Sequence, residues 1–337
     1  MTAQAFLASG GVTSIGSLPH RDADAASEFV LKHSPSLPAA PQLPRRSPLE
    51  GMVAQAARGI AGVTVDGEGR LTVDRARLDP EAPTVPMFDG AGHGGLLAFL
   101  SHVAGRTEPV KIQMTGPVTL GCALVEAGAD ADVAFTIASS AVRAQGRALL
   151  DLVRHRLPDA PLVAFLDEPS LMDVGDGCRV SLTADTTIDL ISTGLAALEG
   201  VAVTGVHCCG SSDLRLVAAA GPDIISIPAD EDVVMPAANV LTSHLERGGW
   251  VAWGAIPTSK PLGTDPDRLW RRLSLLWRDL VQAGADPVLL RSHALITPEC
   301  GLAGHGVSQA ARALRMAKTL SDRVVDQAAA NQRVVGA

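Results

Sequence analysis

The chain of 337 residues has no tyrosine, aromatic side chains make up only 3% of it, and cysteine occurs five times. A core with so few rings must be built mainly from Ala, Val, Leu and Ile, which suits close packing of helices on strands. The cysteines are odd in number and irregularly spaced, and no basic region precedes an apolar segment at the N-terminus. A secreted disulfide framework is therefore not predicted, and reduced thiols free to bind metal are the simpler interpretation.

Long apolar runs and excess positive charge are also lacking. No apolar run reaches the roughly 20 residues that a bilayer-spanning helix needs, so no membrane is predicted and the chain is expected to be soluble and cytoplasmic. The net charge is −8, whereas a general nucleic-acid surface requires a basic patch. Nucleic acid is therefore not an expected partner.

Short β-branched segments alternate with longer Ala- and Leu-rich stretches of helical period, which is the pattern of βα units and a parallel sheet. Strands are predicted near 11–16, 38–43, 109–114, 161–166, 201–207, 222–227, 249–255 and 293–297. Helices are predicted near 22–33, 49–61, 131–156, 184–199, 212–220, 236–247, 266–284 and 306–330. Eight strands indicate one α/β domain over residues 1–337, a (β/α)8 TIM barrel. Segment 63–90 contains Asp-Gly-Glu-Gly and several prolines. It is predicted to be a short insertion after the second βα unit, and a hairpin is one structure that it could form.

Two short motifs carry the strongest functional signal, Val-His-Cys-Cys-Gly at 206–210 and Thr-Pro-Glu-Cys-Gly-Leu at 297–302. Each motif coincides with the end of a predicted strand. In a barrel of this class the C-terminal ends of the strands meet at one mouth, where catalytic groups collect. Residues far apart in the sequence are therefore expected to come together there.

The expected metal ligands are His207, Cys209 and Cys300. Imidazole with two thiolates is a ligand set suited to Zn²⁺, with a fourth position left open for chemistry. Strand alternation favours Cys209 over Cys208, because residues i and i+2 project to the same side. The alternative at each position is a buried free thiol or a hydrogen-bonded core histidine.

Motifs at several strand ends form an ordered set. The set comprises Ser-Ile-Gly-Ser-Leu-Pro at 14–19, Lys111 with Met-Thr-Gly-Pro-Val-Thr at 114–119, Leu-Asp-Glu-Pro at 166–169, His-x-Cys at 207–209 and Pro-Glu-Cys-Gly-Leu at 298–302. In this order the motifs resemble the catalytic, C-terminal domain of cobalamin-independent methionine synthase, and the resemblance spans nearly the whole chain. Its superfamily also holds methylcobalamin-dependent thiol methyltransferases and uroporphyrinogen decarboxylases. The decarboxylases do not carry the histidine and two cysteines, which favours the methyltransferase side.

The resemblance implies a zinc-dependent methyltransferase that acts on a thiol, most simply homocysteine to give methionine. It implies that Asp167, the one candidate catalytic residue, binds the amino group of the acceptor, with Glu168 beside it among the substrate-binding residues. It also implies that the turn formed by Ile15, Gly16 and Ser17 supplies backbone contacts to the acceptor's carboxylate. A structural turn ahead of a proline is the alternative role for Asp167.

The sequence departs from the family pattern at the fourth zinc ligand. Pro228 stands where a glutamate normally ligates the metal, and proline offers no side-chain ligand. Asp230 is the predicted replacement, with Glu231, Cys208 or water as the alternatives. An acidic turn ahead of a helix is the ordinary interpretation of this acidic stretch.

Other pocket positions also differ from the family. The second amine-binding carboxylate falls on Ala54, with Glu50 one turn earlier as a substitute, and the histidine expected after the seventh strand is missing. Homocysteine is therefore less securely predicted than thiol methylation in general. Four further residues are candidates for the pocket without an assigned role: His20, Asp89, His93 and His305.

The methyl donor is left open. Full-length synthases of the family carry an additional N-terminal barrel that helps to bind methylfolate, whereas this chain has room for the catalytic barrel only. Methylcobalamin, a corrinoid protein acting as partner, and methylfolate are the candidate donors. Three other functions stay open: a decarboxylase-like lyase, for which the Arg45-Arg46 pair is a hint, a lyase or demethylase using the same metal, and a non-catalytic zinc- or thiol-binding protein.

Overall fold

The computed structural model describes residues 6–172, 180–259, 263 and 265–335. The strands are β1 (Gly11–Val12), β2 (Val63–Val65), β3 (Leu71–Val73), β4 (Val110–Thr115), β5 (Leu162–Asp167), β6 (Val203–His207), β7 (Ile224–Pro228), β8 (Trp250–Ile256) and β9 (Ala294–Pro298). Seven of them form one parallel sheet in the order β1-β9-β8-β7-β6-β5-β4, and β2 pairs with β3 in a separate antiparallel hairpin. The predicted parallel α/β sheet is thus confirmed, and so is a hairpin in the insertion.

The helices connect successive strands. They are α1 (Ala23–His33), α2 (Met52–Ala57), α3 (Gly90–His102), α4 (Pro117–Glu126), α5 (Ala131–Arg156), α6 (Ala184–Ala196), α7 (Leu214–Ala219), α8 (Glu231–Val234), α9 (Ala238–Glu246), α10 (Pro266–Gln282), α11 (Leu289–Ser292) and α12 (Val307–Val335). Short 3₁₀ turns cover Pro48–Glu50, Pro169–Met172 and Met235–Ala237. Within the described ranges, no helix combines the length and the apolar character needed to cross a lipid bilayer.

The sheet curls around a filled interior. Every residue of β4 to β9 is buried, as expected for parallel strands that are covered on both faces. Alternate side chains, such as Val163 and Phe165 in β5, join a small apolar cluster with Ile224 and Trp250 that is separate from the larger cluster of the helix layer. The small cluster fills the inside of the curl, as side-chain layers do in a barrel of this class.

The predicted strand 38–43 is not a regular strand in the structure. It makes two isolated parallel bridges, Ser17 with Gln42 and Ala39 with Lys111, and so lies between the two edges of the sheet at β1 and β4. The segment contains two prolines, which lack the N–H group that a regular ladder requires. Within the described ranges the parallel sheet therefore has seven regular strands, and the expected closed ring of eight is confirmed only in part.

Helices α3 and α4 were not among the predicted elements. The first turns of α3 contain four glycines, and glycine disfavours a helix by about 1 kcal/mol per residue. Asp89 compensates at the N-terminus of α3, where its carboxylate accepts hydrogen bonds from the N–H groups of Ala91 and Gly92. Helix α4 begins with proline at its first position. The carboxylate of Glu168, just after β5, accepts hydrogen bonds from the N–H groups at its start.

Candidate metal centre and substrate cavity

Three side chains from two strand ends converge at one mouth of the sheet. His207 is the last residue of β6, Cys209 follows it by two positions, and Cys300 lies two positions after β9. Their ligand atoms all lie within 4.8 Å of one another. The Cys209 Sγ is 3.2 Å from the Nε2 of His207 and 3.2 Å from the Sγ of Cys300. The predicted convergence is confirmed, and we refer to these three residues as the His-Cys-Cys cluster.

The geometry of the cluster fits a zinc ion. Tetrahedral zinc with Zn–S near 2.3 Å and Zn–N near 2.0–2.1 Å separates its ligand atoms by about 3.5–3.8 Å. The two closest pairs, at 3.2 Å, are about 0.3–0.6 Å shorter than these separations, and all three ligand atoms lie within 4.8 Å of one another, so small side-chain shifts would let the cluster hold the ion. Three protein ligands leave one tetrahedral position for a further ligand, which is the arrangement of catalytic zinc sites.

Ser226 fixes the orientation of the histidine. It lies opposite His207 in the pairing of β6 with β7, and its Oγ is 2.9 Å from the histidine Nδ1. When Nε2 is the metal ligand, Nδ1 carries the proton and its N–H donates a hydrogen bond to the serine hydroxyl, which fixes the ring orientation and the tautomer. Sequence reasoning missed Ser226; the only signal available was its place two residues before the end of its strand.

The thiols of the cluster share a hydrogen bond. This bond lowers the pKa of Cys300 and raises that of Cys209, as expected when two sulfurs share one proton. The neighbouring Cys208 is fully buried, and burial raises the pKa of its thiol to about 12. Cys208 stands outside the cluster among core side chains, which confirms the choice of Cys209 by strand alternation.

Asp230, the predicted fourth ligand, lies outside the His-Cys-Cys cluster. It is the N-cap of α8, where its carboxylate accepts a hydrogen bond from the N–H of Asp232. The same carboxylate forms an ion pair with Arg272. Glu231, the first residue of α8, is exposed. A helix end and an arginine therefore already bind the carboxylate that was expected to turn toward the metal.

A cavity of about 240 Å³ opens beside the cluster and is lined by all three of its residues. Asp167, at the end of β5, also lines this cavity and is only 6% exposed. Its Oδ1 is buried without a hydrogen-bond partner in the part of the chain that the structure describes. Burial raises the pKa of Asp167 to about 6, although the charges of Lys111 and His207 oppose the shift. Since buried polar atoms normally have partners, this oxygen fits a cationic group of a ligand.

The turn of Ile15, Gly16 and Ser17 forms another wall of the cavity, to which the first and last of these residues contribute. Gly16 has a φ of +145°, and a Cβ there would lie 2.5 Å from the side chain of Gln113. Only glycine satisfies both conditions without strain. The carbonyl of Ile15 accepts a hydrogen bond of 2.6 Å from the Nζ of Lys111. The backbone conformation of Gly16 and the hydrogen bond from Lys111 in β4 therefore hold the turn at the cavity.

Glu168, predicted among the substrate-binding residues, does not line the cavity. Its carboxylate accepts hydrogen bonds from the N–H groups of Val118 and Thr119, at 2.9 and 2.8 Å, and from the Thr119 hydroxyl at 2.6 Å. Burial raises the pKa of Glu168 to about 7 despite these donors. The residue caps the N-terminus of α4, where the free N–H groups of a helix favour a carboxylate.

Glu50 lines the cavity, yet its carboxylate is already occupied. It accepts hydrogen bonds from the N–H groups of Leu43 and Gly95, at 3.1 and 3.2 Å, and pairs with Arg46. The structure therefore does not support Glu50 as a second amine-binding group.

The four candidates without a role lie outside the cluster. His20 packs on Phe29, and His93 lines a smaller neighbouring cavity of about 40 Å³. Asp89 caps α3 and pairs with Arg58. The N–H of His305 donates to the carbonyl of Leu302 in the loop before α12.

Solved structures of known proteins share the fold of this chain. No protein-family model and no curated protein matches the chain. A B12-independent methionine synthase from Shewanella sp. W3-18-1, solved in complex with selenomethionine, matches with a TM-score of 0.67 and 14% identity over 96% of this chain and 100% of that one. A putative vitamin-B12 independent methionine synthase from Listeria monocytogenes matches with a TM-score of 0.58 and 14% identity over 90% and 85%. At this identity the likeness shows a shared fold.

Proposed function

We propose that the protein is a zinc-dependent methyltransferase of the methionine synthase type, a single catalytic barrel whose acceptor is a thiol and most simply homocysteine. The observation that carries this proposal is the His-Cys-Cys cluster on a cavity that also holds the carboxylate oxygen of Asp167, which has no partner among the described residues. The fold shared with B12-independent methionine synthases supports it. The Shewanella protein was solved with selenomethionine, the selenium analogue of the expected product.

In this proposal, each wall of the cavity binds one part of the acceptor. Asp167 binds the ammonium of the acceptor, and the backbone of the turn 15–17 binds its carboxylate. These two contacts direct the thiol end of the molecule toward the cluster. Zinc on the cluster would keep the acceptor thiol deprotonated at neutral pH, where a free thiol is mostly protonated.

Methyl transfer then forms one bond and breaks one. The acceptor sulfur, having released its proton to solvent, attacks the methyl carbon of the donor. The bond between methyl and donor breaks, and its electron pair stays with the donor. Methylcobalamin, a corrinoid protein and methylfolate all satisfy this balance. The chain's own contribution is to hold the acceptor in line, which can lower the barrier by several kcal/mol.

The test is methyl transfer by zinc-loaded protein to homocysteine, with each donor supplied separately. Methionine should form with at least one donor, and Cys300→Ser should abolish it. Cys122→Ser is the matched control, because this cysteine is buried in α4 away from the cluster. Zinc binding without methionine from any donor would favour a binding protein. Release of CO2 from a carboxylated substrate would favour the decarboxylase-like alternative.

A further inference from the structure

A buried lysine contacts the cavity wall through the carbonyl of Ile15, and the proposed reaction does not yet assign it a role. Lys111, in β4, is only 2% exposed. Within the described ranges it forms no ion pair with a carboxylate. An ammonium group removed from water is costly unless its charge is balanced. The position of Lys111 in the core therefore calls for an explanation.

The contacts of Lys111 are two oxygens and an aromatic ring. Its Nζ donates to the carbonyl of Ile15 at 2.6 Å and to the Oε1 of Gln113 at 3.1 Å. It also lies 4.7 Å from the centre of the Phe165 ring. Burial lowers the pKa of Lys111 to about 8, and the negative charge of Asp167 opposes the shift. At neutral pH the group is thus mainly a cation held by neutral partners.

The contact with Ile15 acts on a peptide group at the cavity wall. The carbonyl of Ile15 and the N–H of Gly16 belong to the same peptide. A charged donor on the oxygen polarises this peptide and makes its N–H a stronger donor. Among the described residues, neither the N–H of Gly16 nor that of Ser17 has an acceptor. Both are therefore available to a ligand.

Gln113 fixes this peptide further. Its Nε2 donates to the carbonyl of Ala40 at 2.7 Å while its Oε1 accepts from Lys111. The same side chain packs against the Cα of Gly16, where no Cβ would fit. The lysine, the glutamine and the turn therefore form one network that leaves the Gly16 N–H in a defined place.

We propose that Lys111 is a positioning residue for the carboxylate of the acceptor, acting through the Ile15–Gly16 peptide and supplying the positive charge that the carboxylate balances. This inference rests on the proposed function. It makes the chain selective for thiols that carry a carboxylate as well as an ammonium group. Asp167 and Lys111 then divide the recognition of an amino acid between them, one for each charge.

Three thiols separate the two contributions. Homocysteine carries both charges, 3-mercaptopropylamine lacks the carboxylate, and 4-mercaptobutanoate lacks the ammonium. The assay measures kcat and KM for methylation of each thiol by the zinc-loaded wild type, Lys111→Met and Asp167→Asn. Lys32→Met is the matched control, since Lys32 is exposed on α1.

In Lys111→Met, KM for homocysteine should rise by about 10-fold or more, the usual range for hydrogen bonds to a charged group. KM for 3-mercaptopropylamine should stay near the wild-type value, so the preference for a carboxylate shrinks while the preference for an ammonium is kept. Asp167→Asn should show the opposite pattern. A Lys111→Met enzyme that keeps the full preference for the carboxylate overturns the inference, even if its thermal stability has changed.

Two additions keep the test decisive. If Lys111→Met does not fold, Lys111→Gln removes the charge but keeps an N–H donor, and the same loss of preference is expected. If the wild type methylates none of the thiols, the proposed function fails. Calorimetric binding of methionine and of 3-(methylthio)propylamine then tests Lys111 separately. The inference is supported if the wild type binds methionine more tightly than 3-(methylthio)propylamine and the Lys111 variant loses this preference. It is overturned if the wild type binds the two ligands equally or binds neither.

Discussion

The hydroxyl of Ser226 should increase the affinity of the His-Cys-Cys cluster for zinc. Its hydrogen bond to the Nδ1 of His207 is 2.9 Å long, and the two residues are 2% and 3% exposed. Ser226→Ala removes the acceptor and leaves a buried N–H without a partner. The histidine then loses the bond that selects the tautomer with a free Nε2.

The size of the effect follows from two estimates. An unsatisfied buried donor costs about 1–3 kcal/mol. Loss of an outer partner of a ligating histidine typically lowers metal affinity by about 10- to 100-fold, which corresponds to about 1.4–2.7 kcal/mol. The two ranges agree, so zinc affinity in Ser226→Ala should fall by about one to two orders of magnitude.

Competition titration of the apoprotein against a chromophoric zinc chelator measures this directly. Ser27→Ala is the control, because Ser27 is equally buried but its hydroxyl donates to the carbonyl of Ala23 within α1. Its zinc affinity should match the wild type. Equal affinities in Ser226→Ala and Ser27→Ala would show that the serine does not orient a metal ligand.

Three further changes probe other parts of the structure. Asp167→Asn should weaken homocysteine binding by about 10-fold or more and leave zinc affinity nearly unchanged, as calorimetry and the chelator assay can show; unchanged acceptor affinity would remove Asp167 from the binding site. Glu168→Gln should lower the free energy of unfolding in urea by about 1–3 kcal/mol, because an amide nitrogen cannot accept from the α4 N–H groups; full stability would contradict its capping role. Burial lowers the pKa of His93 to about 4, so the folded state binds fewer protons than the unfolded one and stability should fall by about 3 kcal/mol as pH drops from 6.5 through 4. His93→Leu should lose less stability over that window, and an equal loss would contradict this assignment.

Much of the fold follows from local sequence pattern. The predicted helix 131–156 coincides with α5, because a long amphipathic period leaves little ambiguity. Six strands of the sheet, β4 to β9, were predicted to within about two residues from their short apolar, β-branched runs. The first is shorter than its predicted range of 11–16, and the second, 38–43, is not a regular strand. The cluster itself was predictable because a parallel barrel brings strand ends together, whatever their separation in sequence.

Other placements could not be read from the sequence. Asp230 and Glu168 stand at strand ends, as functional acids do, but their partners come from distant parts of the chain: Arg272 for the first, and the start of α4 for the second. No local pattern contains such pairings. The glycine-rich α3 was missed because tertiary packing and an aspartate cap outweigh its poor helix propensity.

The central claim is that the His-Cys-Cys cluster holds zinc with one position open to a substrate thiol. X-ray absorption at the zinc edge, combined with elemental analysis, tests it most directly. We expect about one zinc per chain, bound by two sulfur atoms and by nitrogen or oxygen, with a third sulfur when homocysteine is added. Full zinc occupancy of unchanged affinity in a Cys209→Ser, Cys300→Ser double variant, or a sulfur count that homocysteine does not change, would contradict the account.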